Sequence, residues 1–371
     1  MTHPQLKFKY LFFLILSPAN LGLAEISCGI TINAASCSED DISATLSAAS
    51  RGDTVVVPGE VCTWERTLII NKGIILKGAG IGNTIIANNV ADHGYLIAYN
   101  PSDYSLDAPF RISGFTFDLN NNGSGIYLGE DSRAAPFTMQ TKLRIDHNHF
   151  CNVPSLNYVG IKNKGLVNGV VDNNVFDSVW TPARNDPGLS QAAAQSWYRY
   201  FYPLWDVGNG YSLIYEDNAF TDLRDGENND SMVTDGQYGC RYVFRYNTIS
   251  LYKASQNLFD LHGYDAHGGP MYGCFGAEIY GNKITALAAG VIPATDATVT
   301  IMADRSGKAM VFYNSAITQG LFDGYSYNNA GGASKSCPSD YIDEQIIHDT
   351  YIWSNKKMVL ATWMTGTRRN L

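Results

Sequence analysis

The sequence predicts an all-β fold: a single-stranded, right-handed parallel β-helix closed by a short N-terminal capping helix. Three observations predict it. The first is a recurring phrase, an apolar strand ending in Asn-x-apolar. It reads LRIDHNHF at 143–150, GVVDNNVF at 169–176, SLIYEDNAF at 212–220, YVFRYNTI at 242–249 and AEIYGNKI at 277–284, with weaker copies at 309–316 and 350–355. A repeat every few tens of residues means stacked units, each covered by its neighbours. The second is the pattern around the Asn. Three places before it stand Ile145, Val171, Tyr215, Phe244, Ile279, Val311 and Ile352, and two places after it Phe150, Phe176, Phe220, Ile249, Ile284 and Ala316. Both columns alternate with polar neighbours, as half-buried strands do. The third is residue choice: Val, Ile, Tyr, Phe and Asn are weak helix formers, and the first four suit strands. The Asn itself suits a left-handed turn and can bond its neighbours up the stack.

Residues 1–24 read as an export signal. Lys7 and Lys9 precede an apolar run, and Gly22 and Ala24 sit at −3 and −1 of a cut before Glu25. The run is too short to span a bilayer, and no later segment does. The remainder, 25–371, reads as one domain that is secreted, periplasmic or at the cell surface. Residues 38–50 open with Ser38-Glu39-Asp40-Asp41 and continue with Ile42, Leu46 and Ala49. That is a capped amphipathic helix, suited to plugging the first coil. All seven cysteines lie in the mature part, where disulfides are permitted. Cys37 with Cys62, and Cys240 with Cys274, are the expected pairs; Cys28, Cys151 and Cys337 remain unassigned. No Cys/His spacing suggests zinc. The formal charge of −9 does not suit nucleic acid or an anionic membrane.

The entry segment carries a family resemblance. GDTVVVPG at 52–59, CTW at 62–64 and KGIILKGAGIGNTII at 72–86 look like the entry coils of secreted bacterial proteins of the pectate-lyase-like superfamily. The later run through residues 235–247, 260–269 and 278–282 resembles uncharacterised members of that group. The resemblance spans most of the mature chain. It implies the β-helix and an extracellular polysaccharide as partner, but no single reaction, because this fold hosts lyases, hydrolases, epimerases and non-catalytic tailspikes. Ile145-Asp146-His147 is similar to part of the pectate-lyase Trp-Ile-Asp-His motif, with Arg144 in place of the Trp. The companion Arg-x-Pro-x-x-Arg and the polygalacturonase motifs are missing. No family catalytic residue carries over.

A second strand column precedes the Asn column, at 158–163, 203–208, 231–236, 258–263 and 300–304. Three of its members end in Gly208, Gly236 and Gly263. Aligning those glycines places Asp235 beside His262 on strands about 4.8 Å apart. Asp260 shares the face of His262, and Asp206 lies one coil below. The expected catalytic cluster is therefore Asp206, Asp235, Asp260 and His262, with Arg241 and Arg245 close enough to face a carboxylate. A glycoside hydrolase would use Asp235 and Asp260 as its two carboxyls. A polysaccharide lyase would use His262 as base and the aspartates to hold calcium, the one cofactor these groups suggest. An ordinary surface ion pair between Asp235 and His262 is the plain alternative.

Residues 180–203 form the main insertion. Trp180, Trp197, Tyr198, Tyr200, Phe201, Tyr202 and Trp205 crowd into and beside it. Flat rings suit sugar stacking, and they also suit packing on the coil beneath. The acidic run at 225–230 reads as a solvated turn or a calcium loop. Asp146, Asp172 and Glu216 would stack as like charges, for which Arg144 and Arg245 supply pairing. Residues 356–371 lack repeat character, with Lys357 where an apolar residue is due. Such an end exposes strand edges and suggests a truncated or altered terminus, or end-to-end self-association. Two classes stay open: a carbohydrate-active enzyme cleaving an acidic polysaccharide, and a non-catalytic glycan-binding adhesin or structural surface protein.

Overall fold

The computed structural model describes residues 29–120, 122–129, 138–152, 158–164, 167–177, 181–185, 212–223, 232–236, 240–251, 258–261, 274, 276–286, 302–304, 308–318, 325–327 and 351–359. Within them the chain winds as a parallel β-helix. Three all-parallel sheets run its length, of 11, 10 and 9 strands. Each coil contributes a strand to the eleven-stranded sheet, then one to the ten-stranded and one to the nine-stranded sheet, and from the coil of Asn148 onward the first of these corners falls at the Asn.

Both predicted columns hold. Ile145, Val171, Tyr215, Phe244, Ile279, Val311 and Ile352 are register partners in the eleven-stranded sheet. Phe150, Phe176 and Phe220 are partners in the ten-stranded sheet and stack inside it, with ring centroids 4.8 and 4.9 Å apart. The interior is this set of ladders, each closing the apolar face of the coil below.

The repeated Asn forms an unbroken side-chain ladder: Asn148, Asn174, Asn218, Asn247, Asn282, Asn314 and Asn355. Each amide nitrogen donates to the next Asn carbonyl oxygen at 2.9–3.2 Å. That oxygen also accepts the backbone N–H of the Asn below. The expectation that the Asn takes the left-handed turn needs correction. The left-handed residue is the one before it: His147, Asn173, Asp217, Tyr246, Gly281, Tyr313 and Ser354 all have positive φ. The Asn is required for its amide, which satisfies buried backbone groups at a corner no strand ladder reaches.

The N-terminal helix spans Glu39–Ala48, with Ser38 accepting the Asp41 N–H at 3.2 Å. Ile42 and Leu46 are buried against the first coil. Both expected disulfides are present, Cys37–Cys62 and Cys240–Cys274, and Cys151 is a free, half-buried thiol. Residues 1–24, read above as an export signal, Cys28, Cys337 and the run 225–230 lie outside the described residues. Two boundaries shift. Thr181–Asn185 is a strand of the nine-stranded sheet, so the insertion does not begin at 180. Lys356–Val359 is a strand paired with Ser315–Thr318, so the coil continues past 356, and Lys357 takes the register position opposite Ala316. Among the described residues no helix is long and apolar enough to cross a membrane.

The outer face of the eleven-stranded sheet resolves its like charges as expected. Arg144 grips Asp172 through two hydrogen bonds, and Arg245 bonds Glu216. An unanticipated partner, Arg111, grips Asp146 at 2.7 and 2.5 Å. Burial would raise the Asp146 carboxyl, but hydrogen bonds from Arg111 and His147 outweigh it and hold the group below the usual carboxylate range. The folded-state value is depressed. The stabilisation is therefore present above the ordinary value of 3.8 and is lost as pH falls through the lower folded value. Arg111→Ala leaves the Asp146 charge buried with its bidentate partner gone. It should cost about 2 kcal/mol at neutral pH, less than the roughly 3–5 kcal/mol of a fully buried pair because Arg111 is partly exposed. Urea midpoints at pH 7 and pH 3 check this, and the gap between variant and native protein should narrow at pH 3.

Candidate functional site

The nine-stranded sheet runs Leu68–Ile70, Tyr95–Tyr99, Ser124–Leu128, Val159–Asn163, Thr181–Asn185, Thr234–Gly236, Phe259–Leu261, Met302–Asp304 and Tyr325–Tyr327. Its inward positions are set by burial: Ile97, Ile126, Ile161, Ala183, Thr234 and Phe259 occupy one register column and are fully buried. Successive side chains alternate faces. The next column therefore lies on the opposite face, and it reads Ile69, Ala98, Tyr127, Lys162, Arg184, Asp235, Asp260, Ala303, Ser326. Two cationic positions are followed directly by two carboxylates, on four neighbouring strands spanning about 14 Å at the ordinary strand spacing.

This corrects the expected cluster at three points. Asp235 is partnered by Asp260, not by His262, because Gly236 pairs with Leu261. Ending both strands on glycine was the wrong guide. Gly236 is small because a Cβ there would lie 2.3 Å from the Cys240 sulfur, so it makes room for the disulfide. The inward apolar residues fix the register instead. The strand beside Asp235 is Thr181–Asn185, so its register neighbour is Arg184 and not Asp206. Arg241 and Arg245 belong to the eleven-stranded sheet and do not share this face. Arg245 is committed to Glu216 and the Tyr280 hydroxyl, and Arg241 is buried with its guanidinium 3.5 Å from the Met139 sulfur. Asp206, His262, Trp180, Trp197, Tyr198, Tyr200, Tyr202 and Trp205 lie outside the described residues.

Asp235 is 6% and Asp260 1% exposed, whereas Lys162 is half-buried. Lys164, two residues on, is fully buried. Tyr127 extends the column below Lys162 and meets Tyr95 edge to face at 5.0 Å. Sequence reasoning missed Lys162 and Arg184. The signal was available: Ile161-Lys162-Asn163 and Ala183-Arg184-Asn185 repeat an apolar–cation–Asn ending on consecutive coils. The Cys151 thiol is no nucleophile, since burial, with Asp118 and Asp177 nearby, pushes its pKa up to about 12. For a metal, the trio of ligand atoms close enough to share an ion among the described residues is Cys37, Glu60 and Cys62, and there both sulfurs are spent on a disulfide.

No protein-family model and no curated protein matches this chain. Among solved structures it is similar to the PL6 family alginate lyase AlyGC, at 12% identity and a TM-score of 0.50, over 89% of this chain. The chain spans 40% of the length of that lyase. A fainter likeness is to Geobacillus virus E2 ORF18, at 13% identity and a TM-score of 0.34, over 87% of this chain and 58% of that one. At these identities the likeness to the lyase bears on the fold.

Proposed function

We propose that this protein is a carbohydrate-active enzyme that cleaves an acidic polysaccharide by β-elimination on the nine-stranded sheet. The observation that carries the reading is the column Lys162–Arg184–Asp235–Asp260 on one face of neighbouring strands. Elimination beside a uronate carboxylate needs a cation to neutralise that carboxylate and a base for the adjacent carbon-bound proton. Arg184 is assigned to the carboxylate, where a planar fork binds two oxygens at once, and Lys162 to the proton. Lys162 acts as its neutral amine: it takes the C–H proton, the C–H electrons become the new C=C bond, the glycosidic C–O bond breaks, and the departing oxygen takes that proton back from the Lys162 ammonium. Tyr127 offers a ring to the neighbouring sugar.

Hydrolysis fits less well. A glycosidase sets its two carboxyls about 6.5–9.5 Å apart to invert and about 5–5.5 Å apart to retain, so the Asp235/Asp260 pair suits only the retaining course. Asp235 and Asp260 are direct register partners on adjacent strands, and hydrolysis by that pair would leave Lys162 and Arg184 beside it without a role. The two carboxylates supply only part of the six to eight oxygens calcium takes. A calcium ion here would be completed by the substrate's own carboxylate, so chelation should raise KM more than it lowers kcat. The related fold of an alginate lyase agrees with an acidic polysaccharide substrate. The two disulfides agree with an oxidising, extracellular or periplasmic site of action.

The test is incubation with alginate, polygalacturonate and a neutral glucan, with calcium and with chelator, following absorbance of unsaturated ends beside new reducing ends. Unsaturated ends from a uronate polymer are the expected result. Reducing ends without unsaturation would return the assignment to the Asp235/Asp260 pair as a hydrolase. Silence on all three polymers in folded protein would favour the adhesin reading.

A further inference from the structure

One corner of the solenoid, between the eleven- and ten-stranded sheets, changes character along its length. On the earlier coils the left-handed residue before the ladder Asn is His147, Asn173 and Asp217, and the residue after the Asn is His149, Val175 and Ala219. On the last four coils the two positions read Tyr246 and Thr248, Gly281 and Lys283, Tyr313 and Ser315, Ser354 and Lys356. Tyr246 and Tyr313 are 54% and 64% exposed, and Lys283 and Lys356 are exposed. The corner thus alternates tyrosine, lysine, tyrosine, lysine, with like residues two coils apart, about 9.6 Å at the ordinary strand spacing.

The tyrosines are held in place. Tyr280, Phe312 and Trp353 stack face to face on successive strands, with centroids 4.6 and 4.3 Å apart. Tyr246 meets Tyr280 edge-on at 89°, and Tyr313 meets Phe312 at 76°, each at 5.6 Å. Each tyrosine ring thus stands across the plane of the stacked ring that it meets. Gly281 makes this possible for Tyr246: a Cβ there would fall 2.6 Å from the ring. The Arg245 guanidinium lies 5.8 Å from the Tyr246 centroid. Rings fixed in this way lose little entropy on binding a flat partner.

We propose that this corner is a second, non-catalytic binding site for an anionic polysaccharide, lying lengthwise along the last four coils. A sugar's C–H face packs on each tyrosine, and the carboxylate or sulfate of the intervening sugar meets each lysine, so one disaccharide period spans two coils. Alternation of ring and cation matches an alternating ligand, and each tyrosine offers an apolar face with a polar tip to a sugar ring. The site is independent of catalysis on the nine-stranded sheet. Single-stranded nucleic acid also offers rings and anions, but the two disulfides favour an extracellular glycan.

The test is affinity electrophoresis of the full chain in native gels containing alginate, polygalacturonate, poly(dT) or neutral pullulan. It compares the native protein with Tyr246→Ala/Tyr313→Ala, Lys283→Gln/Lys356→Gln and Lys162→Ala. Retention by at least one acidic polysaccharide should weaken about tenfold or more in the tyrosine pair and in the lysine pair. It should persist in Lys162→Ala, which reads the other face. Thermal midpoints and turnover of short oligosaccharides should stay unchanged in the lysine pair, which keeps the test open if the tyrosine pair unfolds. Unchanged retention in the lysine pair, equal retention by pullulan, tighter retention by poly(dT), or no retention of the native protein would each overturn the proposal.

Discussion

Lys162→Ala and Arg184→Ala are each expected to lower kcat/KM on a uronate polymer by at least a hundredfold, with the fold intact. The two positions are neighbours in one register column on the face opposite the core. Truncating Lys162 removes the group assigned to the proton, a contribution usually of about 10²–10⁴. Truncating Arg184 removes the cation that stabilises charge developing on the uronate carboxylate, typically about 10²–10³ for one preorganised donor. Arg184→Lys keeps the charge without the fork, so it should recover part of kcat while KM stays raised. Asp235→Asn separates the alternatives. A hydrolase would lose all turnover, while the elimination reading expects a smaller loss concentrated in KM and insensitive to added calcium. Steady-state rates of unsaturated-end formation, with far-UV spectra of each variant, check these outcomes.

Asn218→Ala should be the most damaging single substitution for stability, at about 4 kcal/mol. The Asn218 oxygen accepts both the backbone N–H and the side-chain amide of Asn174. Its own amide donates to Val171 and Glu216 carbonyls and to Asn247. Alanine strands several buried groups at once, each at about 1–3 kcal/mol before relaxation. Neither strand ladder can adopt them, because they sit at the corner between sheets. Asn355, the last described rung, accepts from Asn314 and donates to Val311, and it is only half-buried. Its alanine variant should therefore lose less than half as much. Urea denaturation of both variants, with hydrogen exchange across 171–220, separates a local opening from global loss.

The fold was legible because its cause repeats. Seven coils place an apolar residue three before the Asn, and six of them place another two after it, so the noisy copies speak together. The charge pairing of Asp172 and Glu216 was legible for the same reason, since like charges in register demand cations close by. The nine-stranded sheet was less legible because its strands lack a fixed punctuation mark. Gly236 is explained by the disulfide beside it, so using it as a strand-end marker displaced the alignment by two residues. Arg184 was hidden because Trp180 drew the insertion boundary to the wrong side of a regular strand. The tyrosines at 246 and 313 were overlooked because the left-handed turn was assigned to the Asn, one residue late.

The most direct measurement is the mass balance of cleavage, made by mass spectrometry on a defined uronate oligosaccharide in ¹⁸O-labelled water. Elimination predicts two fragments whose masses sum to that of the substrate, one carrying an unsaturated end, with no label beyond the reducing-end exchange that an enzyme-free control of the same fragments shows. Fragments that together gain one labelled water would contradict elimination and make the enzyme a hydrolase, and an intact oligosaccharide would contradict catalysis altogether.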